Sequence, residues 1–427
     1  MSAARDRSSS LLALTMLAFF MADVRDGLGP FLATYLQENH VRQDLIGYTM
    51  TAGGLAAVAM TPLAGAWVDR STAKRAMTAV SGVAVLGASA LAFTTLSAPL
   101  LIASQIVTGL AGALLAAALA ALTLGLARSE GFKHQTGRNE AFSHAGNMIS
   151  AVGAGTVAHL FGAPWMLAVM GAMTFGALLA VRTIRAADID HEAARGDEPQ
   201  DPPPAPRATD AQGHERIGAL LRNRPLLMFA LTLAFFHLGN AAMLPLINQR
   251  LAATVADSAP LLWTGIAIVV AQLTMIPVAL WVSRSQRFDI AWFVYAAILV
   301  LPVRGALAYA FASQWNNIPV QVLDGIAAGI MGVAAPLLVQ RYTRGSGRFN
   351  TALGFVMTLQ GVGAALSPGI ANVIVGAQGR FGLAFMCLAG AALLALPAFW
   401  LAQRGAPSSD APAPPVAPLA PGATPQT

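Results

Sequence analysis

Apolar residues along this chain do not alternate, and they do not recur every third or fourth position as on the inner face of a soluble helix. They fill whole runs of about 20 residues or more, each long enough to cross the hydrocarbon core of a bilayer. Short segments carrying Asp, Arg, Lys, Gly and Pro separate the runs. The pattern predicts twelve helices, over 10–36, 44–67, 75–96, 99–127, 139–161, 163–183, 225–250, 259–282, 289–312, 316–340, 350–376 and 379–403. Two stretches depart from it. Residues 184–221 include EPQDPPPAPRATDAQGHE, and 404–427 end in APSSDAPAPPVAPLAPGATPQT. Proline-rich polar segments bury too little apolar surface to fold alone, so both are predicted to be disordered. The first divides the runs six and six. The expected architecture is an all-α integral membrane protein of two six-helix bundles, 1–183 and 222–403, joined by a linker at 184–221 and followed by a tail at 404–427.

Charge changes the picture in one respect, by giving the chain a direction. Only 11% of the residues are charged, against about 25% in a soluble domain. The 26 Lys and Arg are dealt out between apolar runs rather than gathered into a stripe. With the N-terminus inside, 21 of the 26 fall in cytoplasmic segments, among them Arg70, Lys74, Arg75, Arg128, Lys133, Arg138, Arg341, Arg344 and Arg348. Arg42, Arg250 and Arg380 fall outside, and Arg25 and Arg304 lie within spans. Positive residues concentrate on the cytoplasmic side of membrane proteins, so both termini are expected in the cytoplasm of a bacterial inner membrane. The same bias accounts for the net charge of +6 without an anionic partner. The first apolar run is too long for a signal-peptide core. The single cysteine, Cys387, supports neither a disulfide framework nor a thiolate metal site.

The two sets of six resemble each other. QIVTGLAG at 105–112 lies over QVLDGIAA at 321–328, and MTPLAGAWVDR at 60–70 over MIPVALWVSR at 275–284 with one residue deleted. LAFF recurs at 17–20 and 233–236, and GR at 137–138 and 347–348. Six-plus-six repeats joined by a cytoplasmic linker imply parallel halves related by an axis along the membrane normal. The segment GAWVDRSTAKR, at 65–75, resembles the signature between spans two and three of the major facilitator superfamily, G-x-L-A-D-R-x-G-R-K. Gly65, Asp69, Arg70 and Lys74 keep their places and Arg75 follows; Trp67, Val68, Thr72 and Ala73 depart. The resemblance covers the chain outside the linker and tail. It implies a transporter working by alternating access. It gives these residues a gating role, in which Asp69 braces helix ends across the halves while the protein is open outward, with the start of span eleven near Asn350 and Thr351 as partner. It also places spans four and ten along the cavity and span nine among the outer helices. Two features depart from the drug–proton antiporters of the family. Gln105 stands where span four is expected to carry arginine, and span five, NEAFSHAGNMISAVGAGTVAHLFG, has no Gly-Pro pair.

Five ionisable residues interrupt the apolar runs: Asp23, Arg25 and Asp26 in FFMADVRDGLGP, Arg304 in LPVRGALA, and Asp324 in QVLDGIAAG. A charge at the centre of a span costs about 2.5–3.5 kcal/mol on insertion scales, so these residues must face protein or water. Counting ~1.5 Å of rise per residue places all five at similar depth. Asp23 and Asp26 share a helix face, and Gly27, Gly29 and Pro30 favour a kink beside them. Arg304 and Asp324 read either as a structural ion pair or as part of a solute site. Three aspartates against two arginines leave one carboxylate unbalanced, and an aspartate of span one is the expected proton carrier. The polar residues His144 and Asn147 on span five, His237 and Asn240 on span seven, and the repeat-related Gln105 and Gln321 complete the candidate cavity set.

There is no GxxxxGK[ST] loop for nucleotide hydrolysis, no cluster with metal-ligand spacing and no nucleic-acid-binding pattern. The expectation is therefore a non-enzymatic, cofactor-free, monomeric carrier with a small solute, the proton and the bilayer as its partners. It reads as a proton-coupled exporter of an organic anion or similar metabolite. An uncoupled uniporter or importer of the same fold, and a non-transporting membrane receptor or scaffold, are the alternatives.

Overall fold

A computed structural model describes residues 2–24, 28–195, 222–285, 287–343 and 349–405. Among them, ten helices are long and apolar enough to cross a membrane. The remaining two expected spans are the first, which is interrupted, and the fifth, expected over 139–161, which continues from span four in one helix. Span one consists of Ser2–Val24 and Gly29–Glu38. Leu28 adopts the left-handed conformation (φ 57°) immediately before Gly29 and Pro30. Proline near a helix start is favourable because its missing N–H would be unpaired there in any case. Span seven breaks at the repeat-equivalent place, into Arg224–Asn240 and Met243–Thr254. The backbone amide of Ala242, in that break, finds the Ser367 hydroxyl of span eleven at 3.0 Å.

Spans two and three are Gln43–Arg70 and Lys74–Thr94. Spans four and five form one 64-residue helix, Ala98–Phe161, whose only non-helical residue is Arg128 (φ 55°, ψ 177°). The connection expected as a loop over 128–138 is therefore helical up to and beyond a sharp kink. Span six is Met166–Thr183. In the second half, spans eight to eleven are Pro260–Arg284, Ile290–Ala310, Asn317–Tyr342 and Phe349–Val375, and span twelve is Phe381–Leu393 with Ala395–Arg404. Each half has its own apolar core.

The segment after span six was expected to be disordered from 184; the structure shows folded chain as far as Arg195. Two 3₁₀ turns, Ala186–Asp188 and Ala193–Arg195, place Ile184, Ile189, Ala193 and Ala194 in buried positions. Asp188 accepts from Ser10 at 2.6 Å, and the Asp190 amide donates to Gly125 O at 3.0 Å. Asp190 also pairs with Arg128 at 3.1 Å. The Ala193 amide, together with Arg128, holds the Asp190 carboxyl below the usual carboxylate range. These contacts fasten the kink between spans four and five to the start of span one. The rest of the expected linker, 196–221, and the tail from 406 lie outside the described residues.

The halves meet at the end of the molecule opposite the termini. Gly47 of span two lies against Asn372 and Pro368 of span eleven, and Gly369 against Thr51. Gly155 of span five lies against Leu261 and Leu262 of span eight, and Gly265 against the Ala151 carbonyl. Thr34 and Thr264 share a buried hydrogen bond of 3.2 Å. A side chain at Gly265 or Gly47 would collide with backbone across the interface, so glycine is what permits closure here. Toward the termini the same faces open. On span two, Gly47 is buried, Thr51, Gly54 and Val58 are half-buried, and Thr61 and Asp69 are exposed. On span eleven, Asn372, Gly369 and Ala365 are buried, Gly361 is half-buried, and Thr358, Gly354 and Thr351 are exposed. The two bundles thus diverge toward the end that carries the termini.

Candidate functional site: a central chamber between the halves

Three adjoining cavities line the inner faces. The first, about 180 Å³, lies between spans one, four and five and is bordered by Thr123, Thr136, Asn139, Glu140 and Ser143. The second, about 350 Å³, lies between spans one, two and four and is bordered by Gly29, Gln105, Thr108 and Gly112. The third, about 260 Å³, lies between the halves and is bordered by Gly29, Asn147, Gln272, Met275 and Asp324. Ala116 is common to the first two, and Gly29 to the second and third. The helix that restarts after the break in span one therefore stands at the junction of the chamber. In transporter folds, such interrupted helices turn backbone groups toward the binding site.

Arg304 and Asp324 form an ion pair at 3.1 Å. Arg304 is 0% exposed, whereas the Asp324 side chain is 16% exposed and borders the third cavity. Every nitrogen of the guanidinium is engaged. Nε donates to the Val320 carbonyl at 3.2 Å, Nη1 to Asn240 Oδ1 at 2.5 Å, and Nη2 to Gln321 Oε1 at 3.2 Å. Asn240 in turn donates to Asp324 Oδ1 at 3.0 Å. Spans seven, nine and ten are thereby tied by one network, with a single carboxylate edge facing the cavity. Small residues set this distance: Gly325 and Gly329 of span ten press against the backbone of span eight at Ala271 and Met275. That is the close-packing use of G-x-x-x-G between membrane helices.

The candidate residues divide accordingly. Gln105, Asn147 and Asp324 border the chamber. Arg304 does not, because its charge is wholly taken up inside the second bundle. Asn240 and Gln321 serve that network and border none of the three cavities. His237 turns back to donate from Nδ1 to Leu233 O on its own helix, 3.0 Å away, and stacks edge-on against Phe236. His144 reaches across the halves to Gln272 Oε1 at 2.7 Å. Arg25 and Asp26 lie outside the described residues, as does the side chain of Asp23. Thr108, Glu140 and Gln272 border the chamber although the sequence did not single them out. Thr108 was visible only as the counterpart of Asp324, and Glu140 stood at the very start of predicted span five and was not counted among the mid-span charges. Below the first cavity, Gln135 joins Asn139 (2.8 Å) and Thr15 (3.0 Å), and Asn139 joins Thr123 (3.1 Å), lacing spans one, four and five together.

At the termini end, Asp69 and Arg70 are exposed, and no hydrogen bond or ion pair joins Asp69 to any described residue. The expected brace to span eleven is not made: Thr351 is exposed, and the side chain of Asn350 lies outside the described residues. The separation of the bundles at this end explains why. Lys74 is fully buried and donates to Ser71 O at 2.7 Å. Arg75 caps span six through Val181 O (3.2 Å) and Arg182 O (3.1 Å), the favourable place for a cation at a helix C-terminus. Gly65 has open space around it.

Two helical bundles of pseudo-equivalent design, meeting at one end and parting at the other around a central chamber with a few polar groups in its walls, define a membrane carrier. The chain belongs to the Major Facilitator Superfamily, whose family model matches residues 11–350. It is 42% identical over 391 residues to an uncharacterized MFS-type transporter of Mycobacterium tuberculosis, found in two strains, covering 90% of this chain and 91% of that protein. Among solved structures it is similar to the nucleoside transporter NupG (TM-score 0.72, 15% identity, 92% of this chain and 99% of that one). It is also similar to a bacterial homolog of the human lysosomal transporter Spinster in an inward-facing, unoccupied conformation (TM-score 0.68, 13% identity, 94% and 97%). At these identities the structural likeness speaks for the fold.

Proposed function

We propose that this chain is a proton-coupled secondary transporter that moves a small solute outward across a bacterial inner membrane by alternating access. The observation that carries the reading is the gradient of exposure along spans two and eleven, buried where the halves touch and open toward the termini. With both termini in the cytoplasm, as the distribution of Lys and Arg favours, this is the inward-open state. The glycine-rich contact at the far end is then the closed external gate, and Asp69 is the brace released when the internal gate opens.

Coupling rests on the carboxylates near the chamber. Asp324 shows one oxygen edge to it, and Asp23 and Asp26 stand in the sequence just before Gly29, which lies at the junction of the chamber. A proton taken up by one of these groups removes a charge that would otherwise have to cross the low-dielectric middle of the protein. Arg304 supplies no anion site, because its donors are spent on Val320, Asn240, Gln321 and Asp324. The case for an organic-anion cargo goes with it.

Comparing metabolites inside and outside cells with and without the gene identifies the transported solute. Transport of that solute in vesicles under an imposed pH gradient tests coupling. Loss of gradient-driven accumulation in Asp23→Asn, Asp26→Asn or Asp324→Asn is expected. Full gradient-driven transport in all three would remove proton coupling from the account.

A further inference from the structure

The reading of the chain as a transporter leaves its cargo open, and the chamber walls bear on that. Among the described residues that border the three cavities there is no lysine or arginine, and there are two carboxylates, Asp324 and Glu140. Glu140 is exposed toward the open end and has neither a hydrogen-bond nor an ion-pair partner among the described residues. Asp324 is held by a guanidinium that is itself sealed from the cavity. Across the junction at Gly29, the second cavity offers different chemistry. Gln105 is 5% exposed and its Nε2 has no partner; Thr108 is 7% exposed and its Oγ1 has none either. Buried polar atoms of this kind are expensive to leave unpaired. Both residues border the cavity, one helical turn apart on span four. Their repeat counterparts are Gln321 and Asp324. One half thus presents an uncharged hydrogen-bonding pair, and the other a carboxylate.

We propose that the chamber selects small organic cations that carry an amine at one end, placed on Asp324, and a neutral hydrogen-bonding group at the other, placed on Gln105 and Thr108. Glu140 stands at the mouth and raises the local concentration of cations there, as a charge of one sign does in a low-dielectric cleft. Among the described residues of the walls, carboxylate-bearing solutes meet two negative groups and no free positive one.

The test uses the full chain in detergent and matched probes that share a scaffold and differ in charge. They are tyramine, phenethylamine, N-acetyltyramine and 4-hydroxyphenylacetate, with the corresponding indole and butyl series. Binding is read as the rise in melting temperature with probe concentration. The amines are expected to bind and the carboxylates not to. Asp324→Glu is expected to keep binding, and Glu140→Gln to weaken it. Gln105→Leu with Thr108→Val is expected to weaken tyramine about tenfold while leaving phenethylamine unchanged. Asp324→Glu tests the amine end and the Gln105 and Thr108 pair the neutral end, so neither arm depends on the folding of Asp324→Asn. Stabilisation by the carboxylate members, or by no amine in any series, overturns the proposal. Accessibility of a cysteine placed at Thr51 in a Cys387→Ser background is followed in the same samples. If that site still opens and closes while no amine binds, the cation assignment fails and the alternating-access reading stands; if it never opens, that reading fails too.

Discussion

Replacing Asp324 by Asn removes a carboxylate and leaves Arg304 behind, 0% exposed, with only neutral acceptors at Val320, Asn240 and Gln321. Breaking a buried pair from one side is costly because the remaining charge has no compensating partner; about 3–5 kcal/mol is the usual size. Asp324 retains some contact with the cavity, so solvent relieves part of the cost and the lower end of that range is expected. Removing both charges, as Arg304→Met with Asp324→Asn, takes the unpaired ion away and should recover most of the loss, giving a coupling energy of about 2–3 kcal/mol. The assay is unfolding of the purified full chain in mixed micelles, followed by tryptophan fluorescence, for the wild type, both single variants and the double. Transport is measured in parallel. The network reading predicts a stable double variant that does not transport, because the carboxylate edge facing the chamber is gone. Additive losses in the cycle, or Asp324→Asn costing under about 0.5 kcal/mol, would refute the reasoning that Arg304 depends on Asp324.

Other predictions concern the gates and the helix ends. Gly265→Val puts methyl groups against the Ala151 carbonyl and should hold the far end open, seen as a longer inter-bundle distance by spin-label spectroscopy. Thr51→Val removes a buried, unpartnered hydroxyl from the same contact and should favour closure by about 1–2 kcal/mol, measured as a fall in the far-open population. Asp289 caps span nine through the Ala291 amide at 2.8 Å and pairs with Arg341 at 2.9 Å, with both side chains partly exposed. Asp289→Asn should keep the cap and cost about 0.5–1 kcal/mol, whereas Asp289→Ala should cost about 1 kcal/mol more. Arg341 holds the Asp289 carboxyl below its usual range. A depressed carboxyl contributes stability above the unfolded-state pKa of about 3.9 and loses it as pH falls through the folded value. The difference between wild type and Asp289→Asn should therefore be full at neutral pH and shrink progressively as pH falls below the unfolded-state value of about 3.9, as read from denaturation at several pH values.

Much of the fold was legible because a bilayer imposes a length on apolar runs. Spans two, three, nine and ten begin and end within three residues of where the hydrophobic pattern put them. Helical register carried less. The kink at Arg128 was invisible because polar residues such as Lys133 and Arg138 read as loop, although helix continues through them once 184–195 packs beneath. That packing was hidden in turn, since Ile189 and Ala193 are too few to register as a core in a polar stretch. The candidate site was legible in its ingredients and less so in its geometry. Mid-span charge marked Arg304 and Asp324, yet only the structure separates a sealed arginine from a carboxylate that reaches the chamber. Thr108 carried no signal of its own beyond lying over Asp324 in the repeat.

Alternating access is the central claim, and distances at the two ends of the molecule test it most directly. Spin labels on exposed positions, Asn39 with Gln378 at the far end and Thr72 with Thr351 at the termini end, would be followed in membranes by double electron–electron resonance while pH and solute are varied. The account predicts two populations in which the far-end distance lengthens as the termini-end distance shortens. A single fixed distance at both ends under every condition would contradict it.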